Sequence, residues 1–179
     1  MTCIVGVEAG GGVWLGADSF VGSGSYADVC AKSKLFRRAG WYTGIAGSSR
    51  VATVLEHIFE WPTAPAVVDD AAVARLAHDM GKALAADDYC VSAENGQKSI
   101  SMEVVVAAGG RLYSIGSACG VHRSRHGYLA AGSGEGYALG AVMASKGRPP
   151  RERVLAGLRA AARHTPTVGG PFRLVFVKG

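Results

Sequence analysis

The sequence has few aromatic residues, and they are not interspersed among its basic residues. Aromatic residues make up 8% of the 179 residues, and they do not alternate with lysine and arginine in the way that stacks nucleic-acid bases. The basic clusters are His122, Arg123, Arg125 and His126 in one loop, and Arg151, Arg153, Arg159 and Arg163 along one predicted helix. The net charge of +5 therefore indicates a solvated or partner-facing surface, and we predict no nucleic-acid partner.

Cysteine is also scarce, and the chain starts without a targeting pattern. Cys3, Cys30, Cys90 and Cys119 form no CxxC pair, as expected for reduced thiols rather than a disulfide framework or a zinc site. The first fifteen residues contain neither lysine nor arginine, and Glu8 and three glycines interrupt the apolar run. We therefore predict no signal peptide, no membrane span, a cytoplasmic location, and no metal or cofactor.

The length and a hydrophobic content of 49% suit a single domain over residues 1–179. Strands are predicted at 4–7, 13–17, 34–37, 41–46, 102–107, 111–115, 128–131 and 173–178. Helices are predicted at 49–58, 70–84, 135–144 and 151–163, the first after a serine cap and the second after aspartates. Residues 19–31 are rich in glycine and serine and are predicted to form a mobile loop.

Two helix pairs separated by sheet segments do not easily share one helical layer. The order is four strands, two helices, three strands, two helices and one strand. This order favours an α+β fold built as a four-layer αββα sandwich, with one helix pair on each outer face.

Thr2 opens the first apolar run, directly behind Met1. If Met1 is removed, Thr2 carries a hydroxyl nucleophile and a free α-amine, which together form a complete nucleophile and base pair. The amine suits this role because an unperturbed α-amine titrates at about 7.7–8.0, close to cytoplasmic pH. Cys3 is a less suitable nucleophile because adjacent side chains on a strand point to opposite faces, and we expect it in the core.

Asp18 and Lys34 each lie at the boundary of a predicted strand. A Lys34 ammonium beside Thr2 would disfavour a protonated α-amine and favour loss of the hydroxyl proton. Asp18 would pair with Lys34 and fix its position. Taken singly, Asp18 also suits a cap on the loop that follows its strand, and Lys34 an exposed lysine on an edge strand.

Five short segments follow one another in a recognisable order. They are Thr2-Cys3-Ile4-Val5-Gly6-Val7, Gly16-Ala17-Asp18-Ser19, Lys32-Ser33-Lys34-Leu35-Phe36, Ile45-Ala46-Gly47 and Ala131-Gly132-Ser133-Gly134. In this order and spacing they resemble the proteasome β-subunit family of N-terminal-threonine (Ntn) hydrolases, over essentially the whole chain. In length and N-terminus the chain is similar to the bacterial HslV branch of that family. The resemblance implies the same αββα sandwich.

The resemblance also implies a catalytic set of Thr2, Asp18, Lys34, Gly47 and Ser133. The backbone N–H of Gly47 would stabilise a tetrahedral oxyanion, and Ser133 would form a hydrogen bond near the terminal amine. Without the resemblance, Gly47 suits a strand-to-helix turn and Ser133 a helix N-cap. The resemblance further implies that Val21 and Lys32 bind substrate.

One segment departs from the family pattern. Family members commonly carry an aspartate and a serine shortly before a Gly-Gly pair near the C-terminus, whereas residues 163–170 read Arg-His-Thr-Pro-Thr-Val-Gly-Gly. Thr167 falls at the serine, and His164 or Thr165 falls at the aspartate. We therefore expect the terminal amine to be supported differently in this protein.

The resulting prediction is a threonine endopeptidase subunit of a homo-oligomeric ring, stacked in pairs, that hydrolyses peptides or unfolded protein. An ATP-dependent unfoldase is a further expected partner. Two alternatives stay open: a non-proteolytic Ntn amidohydrolase or acyl-transfer enzyme, and a catalytically silent subunit that only builds the ring.

Overall fold

The computed structural model of the chain describes residues 2–23, 25–87, 90–94 and 97–179. Strands β1 to β6 and helices α1 and α2 occupy the first half: β1 Ile4–Ala9, β2 Gly12–Ala17, β3 Phe20–Ser23, β4 Tyr26–Val29, β5 Leu35–Arg38, β6 Trp41–Gly47, α1 Ser49–His57 and α2 Asp70–Ala85. The second half contains β7 Val91–Glu94, β8 Gln97–Ile100, β9 Met102–Ala108, β10 Arg111–Ile115, β11 Val121–His122, β12 Tyr128–Ala131, α3 Glu135–Ala144, α4 Pro150–His164 and β13 Arg173–Lys178.

Two antiparallel sheets form the middle of the molecule. The first sheet has the order β12-β1-β2-β13, and the second has the order β11-β10-β9-β6-β5. Helices α3 and α4 pack on the first sheet and helices α1 and α2 on the second, while a third apolar cluster fills the space between the sheets. The predicted α+β fold, a four-layer αββα sandwich, is confirmed.

Strand alternation divides the apolar side chains between these layers. On β1, Val5 and Val7 pack against α3 and α4, whereas Ile4 faces the second sheet. Cys3, just before β1, is buried on the helix side, as predicted. Each fully buried Val or Ile side chain contributes about 1.5–3 kcal/mol relative to an exposed one.

The helix starts follow local capping chemistry. Ser48 caps α1 by accepting from the Arg50 N–H, and Asp69 caps α2 by accepting from the Ala72 N–H at 2.7 Å. Pro150 opens α4 at a position that needs no backbone donor. These starts agree with the prediction to within one residue. Within the described ranges, no helix combines the length and the apolar character needed to cross a membrane.

The prediction of a mobile loop at 19–31 is wrong. This segment contains the β3–β4 hairpin, in which Phe20 pairs with Val29 and Val21 with Asp28. The glycines and serines of residues 19–31 lower the strand propensity of the segment, but these residues are compatible with a short two-stranded ribbon. The β7–β8 hairpin and the short β11 were also missing from the prediction.

Candidate active site

Thr2 lies between two surface pockets at one end of the two sheets. Its side chain is 6% exposed. The first pocket, about 310 Å³, is bordered by the β3–β4 hairpin, and we call it the hairpin-side pocket. The second, about 420 Å³, contains Glu103, and we call it the glutamate-side pocket. Thr2 and Gly47 line both pockets, so any group bound in either one lies beside Thr2.

The structure brings Asp18 and Lys34 together next to Thr2. Lys34 Nζ lies 2.9 Å from Asp18 Oδ1, and the Lys34 side chain is only 15% exposed. Lys34 immediately precedes β5 and lines the hairpin-side pocket. The interpretation of Lys34 as an exposed edge-strand lysine is therefore wrong.

Backbone donors complete the coordination of the Asp18 carboxylate, which is fully buried. Oδ1 accepts from the Cys3 N–H at 2.9 Å, and Oδ2 accepts from the Phe20 N–H at 3.1 Å and the Gly169 N–H at 3.4 Å. The bond from Phe20 is the cap that Asp18 was also predicted to form. One ammonium and three amides thus offset the cost of burying the charge.

Gly47 ends β6 in a conformation that other residues avoid. Its φ is +126°, and a Cβ there would lie 2.2 Å from the carbonyl oxygen of Ser101. The next residue, Ser48, donates its N–H to the same oxygen at 2.9 Å. A glycine is therefore required at this strand-to-helix turn, and the same turn forms part of the wall beside Thr2.

Ser133 reaches Thr2 through its hydroxyl group. Its Oγ donates to the Thr2 carbonyl at 3.4 Å and lies 3.1 Å from the Thr167 Oγ1. The prediction of Ser133 as a helix N-cap is wrong, because Gly134 is the cap of α3 and no side chain caps it. Thr167, which falls at the family serine shortly before the C-terminal Gly-Gly pair, is thus in contact with Ser133.

The two residues that fall at the position of the family aspartate point elsewhere. The His164 ring stacks on Tyr137 with ring centroids 5.1 Å apart. The Thr165 hydroxyl is buried with no hydrogen-bond partner within the described residues. Residues 163–170 thus contain no carboxylate side chain.

The Cys3 thiol is unsuited to act as a nucleophile. Burial, followed by the charge of Asp18, raises the pKa of Cys3 from 9.0 to about 12. The thiol therefore stays protonated at neutral pH, and only a thiolate is reactive. This agrees with its predicted place in the core.

Val21 and Lys32, which the resemblance implies bind substrate, both line the hairpin-side pocket. The Val21 side chain is 40% exposed. Lys32 Nζ lies 2.6 Å from Glu56 Oε2 and 2.7 Å from His57 Nε2. Glu56 and Phe36 complete this wall, but neither residue was predicted, since nothing in their local sequence distinguishes them from other helix and strand residues.

Sequence comparison gives no match to a protein-family model and none to a curated protein. Solved structures do match. BPH from Thiobacillus denitrificans, in complex with epoxomicin, is 23% identical, with a TM-score of 0.82 over 99% of this chain and 98% of its own. HslV from Trypanosoma brucei is 19% identical, with a TM-score of 0.75 over 99% and 100% of the two chains.

Anbu, an ancestral β-subunit from Yersinia bercovieri, is 14% identical, with a TM-score of 0.72 over 99% of this chain and 82% of its own. These likenesses show the fold. The chain has the Ntn-hydrolase fold of proteasome-type β-subunits, as the five sequence segments predicted. Within the described residues, no group of three or more His, Cys, Asp or Glu side chains is arranged to hold a metal ion.

Proposed function

We propose that the chain is a threonine-type endopeptidase subunit of a self-compartmentalising ring, and that it hydrolyses peptide bonds with Thr2 after removal of Met1. The observation that carries this proposal is the buried Lys34–Asp18 pair. The Asp18 oxygen that accepts from Lys34 also accepts from the N–H of Cys3, the neighbour of Thr2. The carboxylate thus fixes both a cation and the backbone at the nucleophile, which is the role of the orienting group in a catalytic set.

The proposed reaction begins with proton transfer within Thr2. The Lys34 ammonium disfavours a second positive charge nearby, so the α-amine is neutral before reaction, and it favours loss of the hydroxyl proton. The neutral α-amine then accepts that proton. The Thr2 Oγ then forms a bond to the substrate carbonyl carbon, and the carbonyl oxygen takes the electron pair. The Gly47 N–H is the proposed donor to this oxyanion.

Collapse of the tetrahedral intermediate breaks the peptide C–N bond. The leaving amine takes the proton from the α-ammonium of Thr2, and the acyl group stays on Oγ as an ester. Water then attacks the ester carbon while the α-amine accepts its proton. The C–Oγ bond breaks and Oγ takes that proton from the α-ammonium, which releases the new carboxyl terminus and restores Thr2.

The hairpin-side pocket is the proposed site for the substrate side chain next to the cleaved bond. Phe20, Val21 and Phe36 supply apolar wall, and the Lys32–Glu56 pair supplies charge of both signs. Val21 and Lys32 are the proposed substrate-binding residues. A pocket of about 310 Å³ accommodates a medium-sized side chain.

A homo-oligomeric ring in the cytoplasm, stacked in pairs, is the proposed assembly. An unselective peptidase has to be enclosed, and heterologous contacts that return on themselves close a ring. Exposed apolar side chains available for such contacts include Ile58, Val67, Tyr137 and Met143. An ATP-dependent unfoldase that feeds unfolded protein into the chamber is part of the same proposal.

Fluorogenic peptide hydrolysis tests the nucleophile. Intact mass first establishes that Met1 is absent from the purified protein. Thr2→Ser retains a hydroxyl and an α-amine and is expected to keep measurable turnover, whereas Thr2→Ala is expected to assemble normally and hydrolyse nothing. Turnover retained by Thr2→Ala would rule out the nucleophile assignment, and fully retained Met1 in the native host would favour the silent subunit.

Ligand binding and assembly provide independent tests. Because BPH was solved with epoxomicin, epoxomicin is expected to raise the Tm of the processed protein and to leave that of Thr2→Ala unchanged. Light scattering is expected to give a mass that is a multiple of the 18.4 kDa of one chain, as a ring requires. A monodisperse monomer would overturn the proposed ring chamber and favour the open-site amidohydrolase.

A further inference from the structure

Glu103 is a second carboxylate near Thr2, and the two residues line the glutamate-side pocket. It lies on β9, where Val105 and Ala107 face the first sheet and Val104 and Val106 face helices α1 and α2. Strand alternation puts Glu103 on the inter-sheet face with Val105 and Ala107. The inter-sheet layer opens to solvent at this end, where Glu103 and Thr2 share the glutamate-side pocket.

A long-range hydrogen bond connects Glu103 to the first sheet. Its Oε2 accepts from the Gly132 N–H at 2.9 Å, across 29 positions in sequence. Gly132 follows β12, so a side chain of the second sheet holds a loop of the first. An acceptor carboxylate makes such a bond roughly twice as strong as a neutral pair.

The Gly132 loop packs directly on the nucleophile residue. Gly132 has a φ of +91°, and a Cβ at this position would lie 2.3 Å from the carbonyl oxygen of Thr2. The next residue, Ser133, donates to that same oxygen. A displacement of Gly132 therefore moves both the backbone that supports Thr2 and the hydroxyl that bonds to it.

We infer that Glu103 is a positioning residue of the site: it holds the Gly132–Gly134 loop against Thr2 and thereby sets the orientation of Ser133 and of the Thr2 backbone. This inference rests on the proposed function, in which the orientation of Thr2 affects the rate of hydrolysis.

A second carboxylate, Glu135, lies close enough to Glu103 for their charges to interact. Burial, followed by the charge of Glu103, raises the pKa of Glu135. Glu135 therefore takes up a proton more readily than an ordinary glutamate as the pH falls. Glu135 also lies on α3, and its side chain is not the one bonded to the Gly132 N–H. This makes Glu135→Gln the matched control.

Hydrogen exchange and turnover, measured together on the processed and assembled protein, test the inference. Glu103→Ala removes the acceptor, so the peptide 129–134 is expected to exchange faster. The kcat of Glu103→Ala is expected to fall about 10–100-fold with KM unchanged, since small misplacements near a reacting group have effects of that size. Glu103→Gln keeps an acceptor oxygen and is expected to retain both the protection and most of the kcat. Glu135→Gln is expected to match the wild type in both.

Unchanged exchange at 129–134 in Glu103→Ala would overturn the inference, as would faster exchange with an unchanged kcat. If Glu103→Ala does not fold, Glu103→Asp takes its place, because it keeps the charge and shortens the side chain by one methylene. If the processed wild type hydrolyses no peptide, the proposed function fails, and the exchange of 129–134 still decides whether Glu103 holds the loop.

Discussion

Two carboxylates lie near Thr2, and they differ in burial and in the donors from which they accept hydrogen bonds. Asp18 is fully buried and accepts from the Lys34 ammonium and from three backbone amides. Glu103 is half-buried, lines a pocket, and accepts from the Gly132 N–H. In the proposed mechanism, the Asp18 side sets the electrostatics of the candidate nucleophile, whereas the Glu103 side sets the position of the loop that supports it. Variants on each side should therefore produce effects of different size and kind.

The largest loss is expected on the Asp18 side. Asp18→Asn and Lys34→Ala should each lower kcat on the order of a thousandfold or more, because each removes one member of the Lys34–Asp18 pair. Losses of residues that act as one unit are strongly non-additive. The double variant should be little worse than either single variant. Steady-state kinetics of the processed protein measure this, with Lys82→Ala on the exposed face of α2 as the control. If the two losses multiply, Asp18 and Lys34 do not act as a pair.

The next largest effect is expected at Gly47, which lines the pockets on both sides of Thr2. Gly47→Ala places a Cβ 2.2 Å from the Ser101 carbonyl oxygen at a φ of +126°. It should lower the free energy of unfolding by about 1–3 kcal/mol and also reduce turnover. Denaturant unfolding compares it with Gly10→Ala, where the added Cβ has no atom within 4 Å among the described residues other than its chain neighbours. Equal stabilities of the two variants would argue against strain at Gly47.

A smaller effect is expected where the two sides meet at Ser133. Its hydroxyl lies 3.1 Å from the Thr167 Oγ1. Ser133→Ala and Thr167→Val should each cost about 0.5–1.5 kcal/mol of stability, the typical net value of one hydrogen bond. A double-mutant cycle on unfolding and on kcat isolates the coupling between them. Zero coupling in both measurements would mean that Thr167 does not support Ser133.

The smallest effect on turnover is expected at Cys3, which adjoins Asp18 on the helix side of β1. Iodoacetamide at pH 8 should leave Cys3 unlabelled in the native protein and modify the more accessible Cys30, and Cys3→Ala should keep most of its kcat. Rapid labelling of native Cys3, followed by mass spectrometry, would contradict its burial as a neutral thiol.

Cys3 also gives a prediction for alkaline pH. Its folded-state pKa of about 12 lies above the ordinary value of 9.0 for a cysteine thiol, so the folded state holds this proton more tightly than the unfolded chain does. The resulting stability is present below pH 9 and decreases as the pH rises from 9 toward 12. The Tm of Cys3→Ala should therefore fall less steeply over this interval than that of the wild type.

The sequence identified most elements of the fold because its strands and helices have distinct periods. Alternation predicted that Cys3 and Thr2 face different sides, and the cap residues located α1 and α2. The β3–β4 hairpin was missed because glycine and serine weaken the strand pattern, and its pairing becomes visible only in three dimensions. That hairpin forms one side of the pocket beside Thr2.

The sequence by itself determined the candidates Thr2, Asp18 and Lys34, since each lies at the start or end of a recognisable strand in a spacing typical of one fold. Only the tertiary structure revealed Glu103 and Glu56. Glu103 is one residue on a strand, and its partner lies 29 positions away, in the loop that follows β12 of the other sheet. Contacts of this kind depend on how two sheets stack and on where their open end lies, and neither the period of a strand nor the chemistry of a short motif contains that information.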